Sequence, residues 1–275
     1  MKGPIFYSRK VSIFIVSYTL IYLLLIVLIP LSSIFFKAGE LNWNDWTGHV
    51  FNARSIAAYK LTFLTSLIAA TINSIFGFIT AWVLVRYEFP GKKILDTLVD
   101  FPFALPTAVA GLTFVEIYSK DGLIGNYFER IGIQISYTPI AIVLVLTFVG
   151  LPFVIRSVQP VLEEMDLEVE QAARSLGASD IQIFFYVILP YILPAWITGF
   201  TLSFARAIGE YGSVIFVSGN IPFKTEIAPL LIVTRLEQFD YAGASAIAIV
   251  LLGFSFSLLI ILNIVERWSR RYEEI

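Results

Sequence analysis

Long apolar runs separated by short polar segments dominate the chain. The first run, from Val11 to Phe36, contains 26 residues without a charged side chain. At ~1.5 Å per residue, such a helix is longer than the ~30 Å thickness of the hydrocarbon core of a bilayer. Its length, and the lack of a small-residue cleavage site after a short apolar core, indicate a membrane helix rather than a removable signal peptide.

The apolar runs predict about six transmembrane helices joined by short loops. Prolines near the start of the third helix, within a Gly-Leu-Pro sequence of the fourth and at two positions of the fifth predict kinks or breaks. These are Pro102, Pro106, Pro152, Pro190 and Pro194. The expected helices span residues 11–36, 61–85, 97–119, 138–155, 187–217 and 242–265. We therefore expect an all-α, polytopic fold with a single integral membrane domain over residues 1–275.

The second apolar run carries small and polar side chains at helical spacing. They are Ala69, Asn73, Gly77 and Ala81 on one stripe, with Ser66, Ala70 and Ser74 beside it. Small side chains let helices approach closely in lipid. A packing face and a pore-lining face both fit this stripe.

A polar stretch between the fourth and fifth runs predicts two short helices. Asp166 is a favourable N-cap for a helix over Leu167–Leu176, and Gly177 can end that helix. Ser179 or Asp180 can then cap a second helix that leads into the fifth span. The sequence thus predicts a helix-turn-helix elbow.

The elbow lies in the predicted loop 156–186 and presents small residues at Ala172 and Ala173. A shallow surface of this kind can receive a partner protein, and motion of the partner can then move the spans. An amphipathic helix resting on the membrane surface fits the same pattern. Another amphipathic helix is expected near the surface at Ala228–Gln238, in an outer loop.

The distribution of Lys and Arg predicts the orientation. Segments on the side of the N-terminus hold 11 of these residues, and the loops on the other side hold 7. Positive charge is enriched in cytoplasmic loops, so both termini and the elbow are expected in the cytoplasm.

Composition agrees with a membrane protein and excludes several classes of site. Hydrophobic residues make up 57% of the chain, charged residues make up 15%, and the mean hydropathy is +0.81. These values lie outside the range of a soluble globular domain. There is no cysteine and only one histidine, so thiol chemistry and a histidine-based metal or catalytic cluster within one chain are excluded. A net charge of −2 argues against nucleic acid as a partner.

Charged residues within the predicted spans are candidate pore or gate residues. Arg206 and Glu210 are four residues apart, hence on one helical face and able to pair. Because ionisable groups are costly in the hydrocarbon region, they should face a pore or a protein interface. Arg206 could offer charge to a passing dianion, or the pair could lock spans together, with Gly209 and Gly212 allowing close packing or a bend. Asp100 is expected to cap the broken third helix.

The polar elbow resembles the signature loop of the permease subunits of ABC importers. That pattern consists of Glu-Ala-Ala, three residues, Gly, nine residues, Ile, any residue and Leu-Pro. The residues that match in register are Ala172, Ala173, Gly177, Leu189 and Pro190. Gln171 stands at the usual glutamate, with Glu170 just before it, and Val187 replaces the isoleucine.

Further segments resemble sulfate/thiosulfate permeases of the CysT type, with molybdate permeases as close relatives. They are DFPFALPTAVAG at 100–111, GLPFVIRSVQPVLEEMD at 150–166, FARAIGEYGSVIFVSGN at 204–220 and EIAPLLIVTRLEQFDYAGA at 226–244. The resemblance extends from Ala58 to the C-terminus. It implies a transport subunit for sulfate or thiosulfate, not an enzyme.

The resemblance also implies the partners. The elbow would be a coupling helix that inserts into a cytoplasmic ABC ATPase dimer, and a second permease of the same fold would complete a heterodimeric pore. A sulfate-binding protein would deliver substrate from outside, and lipid would surround the spans. The chain would bind no cofactor, because it lacks a G-x-x-x-x-G-K-[ST] phosphate loop, while ATP and Mg²⁺ would bind to the ATPase.

Two alternatives remain open. One is a molybdate or tungstate importer, in which this fold commonly forms a homodimer. The other is a secondary anion transporter or channel, for which we would expect inverted repeats or ionisable relays across several spans. The expected location is a bacterial inner membrane, or a plastid membrane if the gene is organelle-encoded.

Overall fold

The computed structural model describes residues 9–270, with side chains from Phe14 to Ile264. Over this range the secondary structure is helical and contains no strand. The helices within it that are long and apolar enough to cross a membrane are Phe14–Ala38, Ala53–Arg86, Pro139–Glu164, Asp180–Ile208 and Tyr241–Ile264. The prediction of an all-α, polytopic membrane protein is confirmed. The placement of both termini in the cytoplasm falls on residues 1–8 and 271–275, which lie outside the described residues.

The helices are numbered in chain order. They are α1 (Arg9–Leu23), α2 (Ile29–Ala38), α3 (Trp43–Val50), α4 (Ala53–Arg86), α5 (Lys92–Val99), α6 (Phe101–Ala104), α7 (Thr107–Tyr118), α8 (Gly125–Arg130), α9 (Pro139–Glu164), α10 (Leu167–Ser175), α11 (Asp180–Ile183), α12 (Leu189–Ile208), α13 (Val214–Ser218), α14 (Ala228–Glu237) and α15 (Tyr241–Arg270). Two π-helical turns, Leu24–Leu28 and Phe184–Ile188, join α1 to α2 and α11 to α12.

The third predicted span is broken, as its prolines indicate. It consists of α5, α6 and α7, and Leu105 and Pro106 adopt non-helical backbone angles between α6 and α7. The 12 residues of α7 extend only about 18 Å, which is too short to cross the hydrocarbon core alone. Irregular backbone of this kind is tolerated at membrane depth where protein covers it.

The fourth span differs from the prediction. The expected interruption at Gly150-Leu151-Pro152 is absent, because α9 runs from Pro139 to Glu164 with Pro152 and Pro160 inside it. Nine residues assigned to the loop 156–186 therefore belong to this helix. Neighbouring helices can compensate for the hydrogen bond that a proline removes, so a buried proline does not have to end a membrane helix.

The fifth span is also shifted from 187–217. It begins at Asp180, continues through the π turn at Phe184–Ile188, and ends at Ile208. Its break lies at residues 209–213, before α13, and not at the predicted prolines. Pro190 lies in the first turn of α12, two residues after the end of the wider π turn, where the backbone hydrogen-bond pattern is already shifted.

The outer-loop helix at Ala228–Gln238 is observed as α14, but it is not a surface helix at its start. Ala228 and Leu230 have relative exposures of 0% and 1%, and Leu231 is equally buried. The amide of Ala228 donates to the hydroxyl of Thr62 on α4 at 2.8 Å. A tertiary hydrogen bond and apolar burial thus hold the start of α14 in the core.

Residues 53–231 and 251–270 form one compact unit within the described chain. Its centre is the mutual packing of α4, α9 and α12. The small-residue stripe of α4 lies at this centre: Ala69, Gly77 and Ala81 are buried, and a Cβ on Gly77 would lie 2.9 Å from the Cβ of Val154. The stripe is therefore a packing face.

The remaining unit contains residues 9–52 and 232–250. Asn42 caps α3 by accepting a 2.8 Å hydrogen bond from the amide of Asp45. The rings of Trp43 and Trp46 are stacked with centroids 5.4 Å apart. Val50 on the same helix packs with Ala38 and Ala246 in a small apolar cluster.

Candidate coupling surface and helix-break cluster

The first half of the predicted elbow is α10. The carboxylate of Asp166 accepts a 2.9 Å hydrogen bond from the amide of Glu168 and so caps this helix. The helix ends at Ser175, one residue before the expected end. Gly177 follows with φ of +88°, in the left-handed region that favours glycine. Since a side chain there would meet no atom within 4 Å, the requirement for glycine is conformational and not steric.

The second half of the elbow, α11, is capped by Ser179 and not by Asp180. The amide of Ser179 donates to Gln182 Oε1 at 2.8 Å, and the amide of Gln182 donates back to the Ser179 hydroxyl at 3.4 Å. This reciprocal capping box fixes the start of the helix. Asp180 instead accepts a 2.7 Å hydrogen bond from the guanidinium of Arg174. The two short helices are thus held in a defined turn.

The elbow has an inner apolar side and an outer exposed side. Ala173 is half-buried against an apolar cluster that includes Leu84 of α4. Its neighbour Ala172 is exposed, so the two alanines do not share one face as the sequence suggested. Leu176 and Ile181 are 89% and 71% exposed, which leaves large apolar side chains uncovered at the turn. An exposed apolar turn on a rigid support is suited to docking.

Glu170 makes the polar contact that joins α10 to the rest of the helical unit. Its carboxylate forms a short ion pair with the guanidinium of Arg86, the last residue of α4. Gln171, at the position where the motif usually has glutamate, is exposed. Glu170 was predicted from the sequence as a coupling-loop residue, but its partner Arg86, which lies 84 residues earlier, was not. The matched residues Leu189 and Pro190 lie further on, at the start of α12.

The second candidate site is the helix-break cluster, which we define as residues 206–213 with the first turns of α7. Arg206 and Glu210 form an ion pair at 2.5 Å, as expected. Glu210 lies beyond the end of α12 at Ile208, so the pair crosses the helix terminus and does not lie on one continuous helix. The Glu210 side chain is only 2% exposed, and it also accepts 2.8 Å hydrogen bonds from the amide and hydroxyl of Ser213. This carboxylate therefore holds the broken segment in shape.

Glycines bring the break against α7. A Cβ on Gly111 would lie 2.4 Å from the carbonyl oxygen of Ser213, and a Cβ on Gly212 would lie 2.3 Å from Thr107 Oγ1. Gly209 has no such neighbour within 4 Å. The break of the fifth span thus packs on α7, the longest helix of the broken third span.

Residues 73–271 match the family model of the binding-protein-dependent transport system inner membrane component. The chain belongs to this family. The expectation of a membrane transport subunit, rather than an enzyme, is confirmed by this membership.

Curated relatives match most of the permease chain. The sulfate transport system permease protein CysT of Synechocystis is 46% identical over 254 residues, which cover 92% of this chain and 89% of the relative. The CysT protein of Synechococcus elongatus is 49% identical over 255 residues, which cover 93% and 92% of the two chains. The expected likeness to sulfate permeases is therefore confirmed.

Solved structures share the fold. The crystal structure of a bacterial ABC transporter involved in the import of alginate matches with a TM-score of 0.78 at 16% identity. The match covers 94% of this chain and 95% of that chain. At this identity the likeness establishes the fold alone.

Two further ion-pair networks of the permease were missed by the sequence analysis. Arg156, near the end of α9, binds Asp100 through two hydrogen bonds at 2.9 and 2.7 Å and Asp96 at 2.6 Å. The expectation that Asp100 caps the broken helix is wrong, because its side chain makes no capping hydrogen bond to α6. An arginine on a neighbouring helix satisfies the carboxylate better than a single backbone amide.

The other network lies at the start of α4. Arg54, in the first turn of that helix, makes a two-pronged ion pair with Glu226 at 2.7 and 2.6 Å, and Glu226 is almost fully buried. Glu226 follows Pro222 and Lys224 in the predicted outer loop, and the sequence alone did not predict its pairing with Arg54. Its burial against an arginine shows that it anchors this loop to α4.

Proposed function

We infer that the chain is one permease subunit of an ATP-driven importer of sulfate or thiosulfate. The main support is the elbow at α10 and α11, which combines a capped, rigid turn with an exposed apolar tip. The names of the two CysT relatives favour sulfate as substrate, and both relatives align over about nine-tenths of the chain. The family description favours delivery of substrate by a binding protein.

The elbow is the surface that would dock on a cytoplasmic ATPase dimer. Leu176 and Ile181 offer apolar side chains, and Ala172 leaves room beside them for a partner surface. Gly177 sets the direction in which this tip points, and Glu170 fixes it to α4. ATP and Mg²⁺ would bind to the ATPase, and the permease would contribute no cofactor site.

The pore would form between this permease and a second subunit of the same fold, in a heterodimer surrounded by lipid. A binding protein for the anion would dock on the outer side. This arrangement places the elbow and both termini in the cytoplasm. The membrane would be a bacterial inner membrane or, for an organelle-encoded gene, a plastid membrane.

The helix-break cluster is our candidate for the gate. Glu210 is engaged by both Arg206 and Ser213, and this favours a structural lock over a free charge that attracts the anion. Gly212 lets the break approach α7, and Gly209 ends the preceding helix. Movement of α12 would then be passed to the broken third span.

Uptake of radiolabelled sulfate into proteoliposomes tests this function. The vesicles contain the permease with its co-purified partners, and Gly177→Val is compared with Gly177→Asn. Both substitutions add a side chain, but asparagine tolerates the left-handed conformation and a β-branched residue does not. We expect ATP-dependent uptake to fall at least tenfold in Gly177→Val and about threefold or less in Gly177→Asn.

Uptake without any ATPase would contradict the importer. ATP-dependent uptake of molybdate but not of sulfate or thiosulfate would contradict the substrate and favour the molybdate alternative. Equal uptake by the two variants would contradict the role of the elbow turn.

A further inference from the structure

The junction between α4 and α10 brings two helix ends of opposite polarity together. Arg86 is the last residue of α4, and Glu170 lies in the first turn of α10. A helix C-terminus carries partial negative charge and an N-terminus partial positive charge, so each side chain suits the helix end that bears it. The ion pair between Arg86 and Glu170 therefore adds to an arrangement that the helix dipoles already favour.

The guanidinium of Arg86 is held on three sides. It lies 5.2 Å from the ring centroid of Trp82, one turn earlier on α4. Its Nη2 atom is 3.8 Å from the sulfur of Met165, at the junction of α9 and α10. The exposed fractions of the Arg86 and Glu170 side chains are 15% and 18%. Loss of one partner from a pair shielded to this degree leaves the other charge poorly solvated, so it costs more than loss of one partner from a surface pair.

Few other contacts hold α10, since none of its residues is fully buried. Ala173 is half-buried, and it faces an apolar cluster that includes Leu84, again on α4. The polar contact and the apolar contact thus both lead to the end of the same spanning helix. α4 in turn packs along α9 and α12, at the centre of its unit.

We propose that Arg86 and Glu170 are positioning residues that make α10 and α4 move as one body, so that displacement of the elbow by the ATPase is transmitted to the second span. This inference rests on the proposed function. It assigns the transmission to one ion pair, outside the signature residues that match the importer loop.

The first test measures anion transported per ATP hydrolysed in the reconstituted assembly. We expect Glu170→Gln and Arg86→Ala to lower this ratio at least fivefold, while the ATPase still co-purifies and hydrolyses ATP. Arg86→Lys keeps the charge but loses the planar stacking, and should restore at least half of the parent ratio. If the pair were needed only for folding of the elbow, the variants would instead bind less ATPase. The assemblies that still contain ATPase would then transport as many anions per ATP hydrolysed as the parent.

Glu88→Gln is the matched control. Glu88 lies two residues beyond Arg86, and the substitution breaks its pair with Lys92, but the Glu88 side chain is 89% exposed. We expect its transport ratio to stay within twofold of the parent. A ratio in Glu170→Gln that equals that of Glu88→Gln overturns the inference.

The second test uses the absence of cysteine from the sequence. Arg86→Cys and Glu170→Cys are combined, and the two thiols are joined by a short bifunctional reagent. The unlinked double variant should show the low ratio, and linking should restore it at least threefold. Loss of the remaining transport on linking would overturn the inference, because α10 and α4 would then have to separate during the cycle.

The two proposals fail in different ways. Failure of the proposed function appears in the parent assembly, as uptake that needs no ATP or no sulfate transport. If the parent carries molybdate, the ratio is measured with molybdate. Failure of the inference appears only in the variants, as a ratio equal to that of the parent.

Discussion

Glycine positions show how closely the permease packs at single residues. At Gly111 a Cβ would lie 2.4 Å from a backbone oxygen and 2.9 Å from a backbone Cα, both of Ser213. Backbone atoms cannot rotate away as the end of a side chain can. Gly209, three residues before Gly212, has open space around it. Gly111 is therefore needed for close approach of two backbone segments, while Gly209 has room for a methyl group.

Gly111→Ala should therefore destabilise the permease by about 1–3 kcal/mol, because the added methyl group forces α7 away from the break. Gly209→Ala is the control and should change stability by less than about 0.5 kcal/mol. Thermal unfolding in detergent, followed by tryptophan fluorescence, measures the difference. Equal transition temperatures for the two variants would contradict the packing described for the helix-break cluster.

The predictability of polar contacts from the sequence depends on their separation along the chain. The pair of Arg206 and Glu210 was predicted because residues four apart share a helical face. The pair of Arg86 and Glu170 was not, because it depends on how α4 meets α10 in three dimensions. Asp100 was assigned to a cap for the same reason, since its partner Arg156 is 56 residues away.

At the scale of single helices, local capping determines the geometry of the elbow. Ser179 and Gln182 bond reciprocally, and α11 is only four residues long. A helix this short depends on its cap and on the helical turn after it, since helix nucleation is unfavourable. The orientation of the exposed Ile181 is thus set by the serine hydroxyl two residues earlier.

Ser179→Ala should weaken the start of α11 by about 1 kcal/mol. This corresponds to roughly fivefold faster hydrogen exchange at the amides of Gln182 and Ile183, which donate to Ser179, if they open locally. Ser175→Ala is the matched control, because the Ser175 hydroxyl donates to the Gln171 carbonyl within α10. Exchange at Gln182 and Ile183 that is no faster than in this control would show that the cap does not hold the helix.

Most elements were predicted from the sequence, but several of their ends were not. The caps at Asp166 and Ser179 and the stop at Gly177 are local signals, and the structure confirms them. The continuity of α9 through Pro152 could not be predicted, because it depends on the helices packed around it. The break at 209–213 carries no proline, and its buried carboxylate becomes apparent only in three dimensions.

At the scale of the whole molecule, the apolar helices differ in how many of their residues are buried. Ile155 of α9 is fully buried, in the cluster shared by α4, α9 and α12. The most apolar window of the helix over Phe14–Ala38 contains no buried residue, and Ile21 within it is 56% exposed. Hydropathy alone rates both segments as membrane helices, so it predicts the fold class but does not reveal which spans form the core.

Ile155→Ala should lower the stability of the isolated permease by about 2–5 kcal/mol, through lost burial and the cavity left behind. Ile21→Ala removes the same atoms from an exposed site, and its effect should be within about 0.5 kcal/mol. Denaturation in detergent, with both variants in the same background, gives the two values. A large effect of Ile21→Ala in the isolated chain would contradict the exposure of the first helix.

The π turn at Phe184–Ile188 has a consequence for the azimuth of the elbow, which is its angular position around the axis of the fifth span. An i→i+5 turn contains one residue more than an α turn, so it changes the angular phase between α11 and α12. Pro190 is the second residue after this turn and has no N–H with which to close a regular turn. Rewinding this turn as α-helix would rotate the elbow by about 100° around the axis of α12, given 3.6 residues per turn. The turn before Pro190 thus sets which side of the fifth span carries the elbow, although it lies well away from the exposed tip.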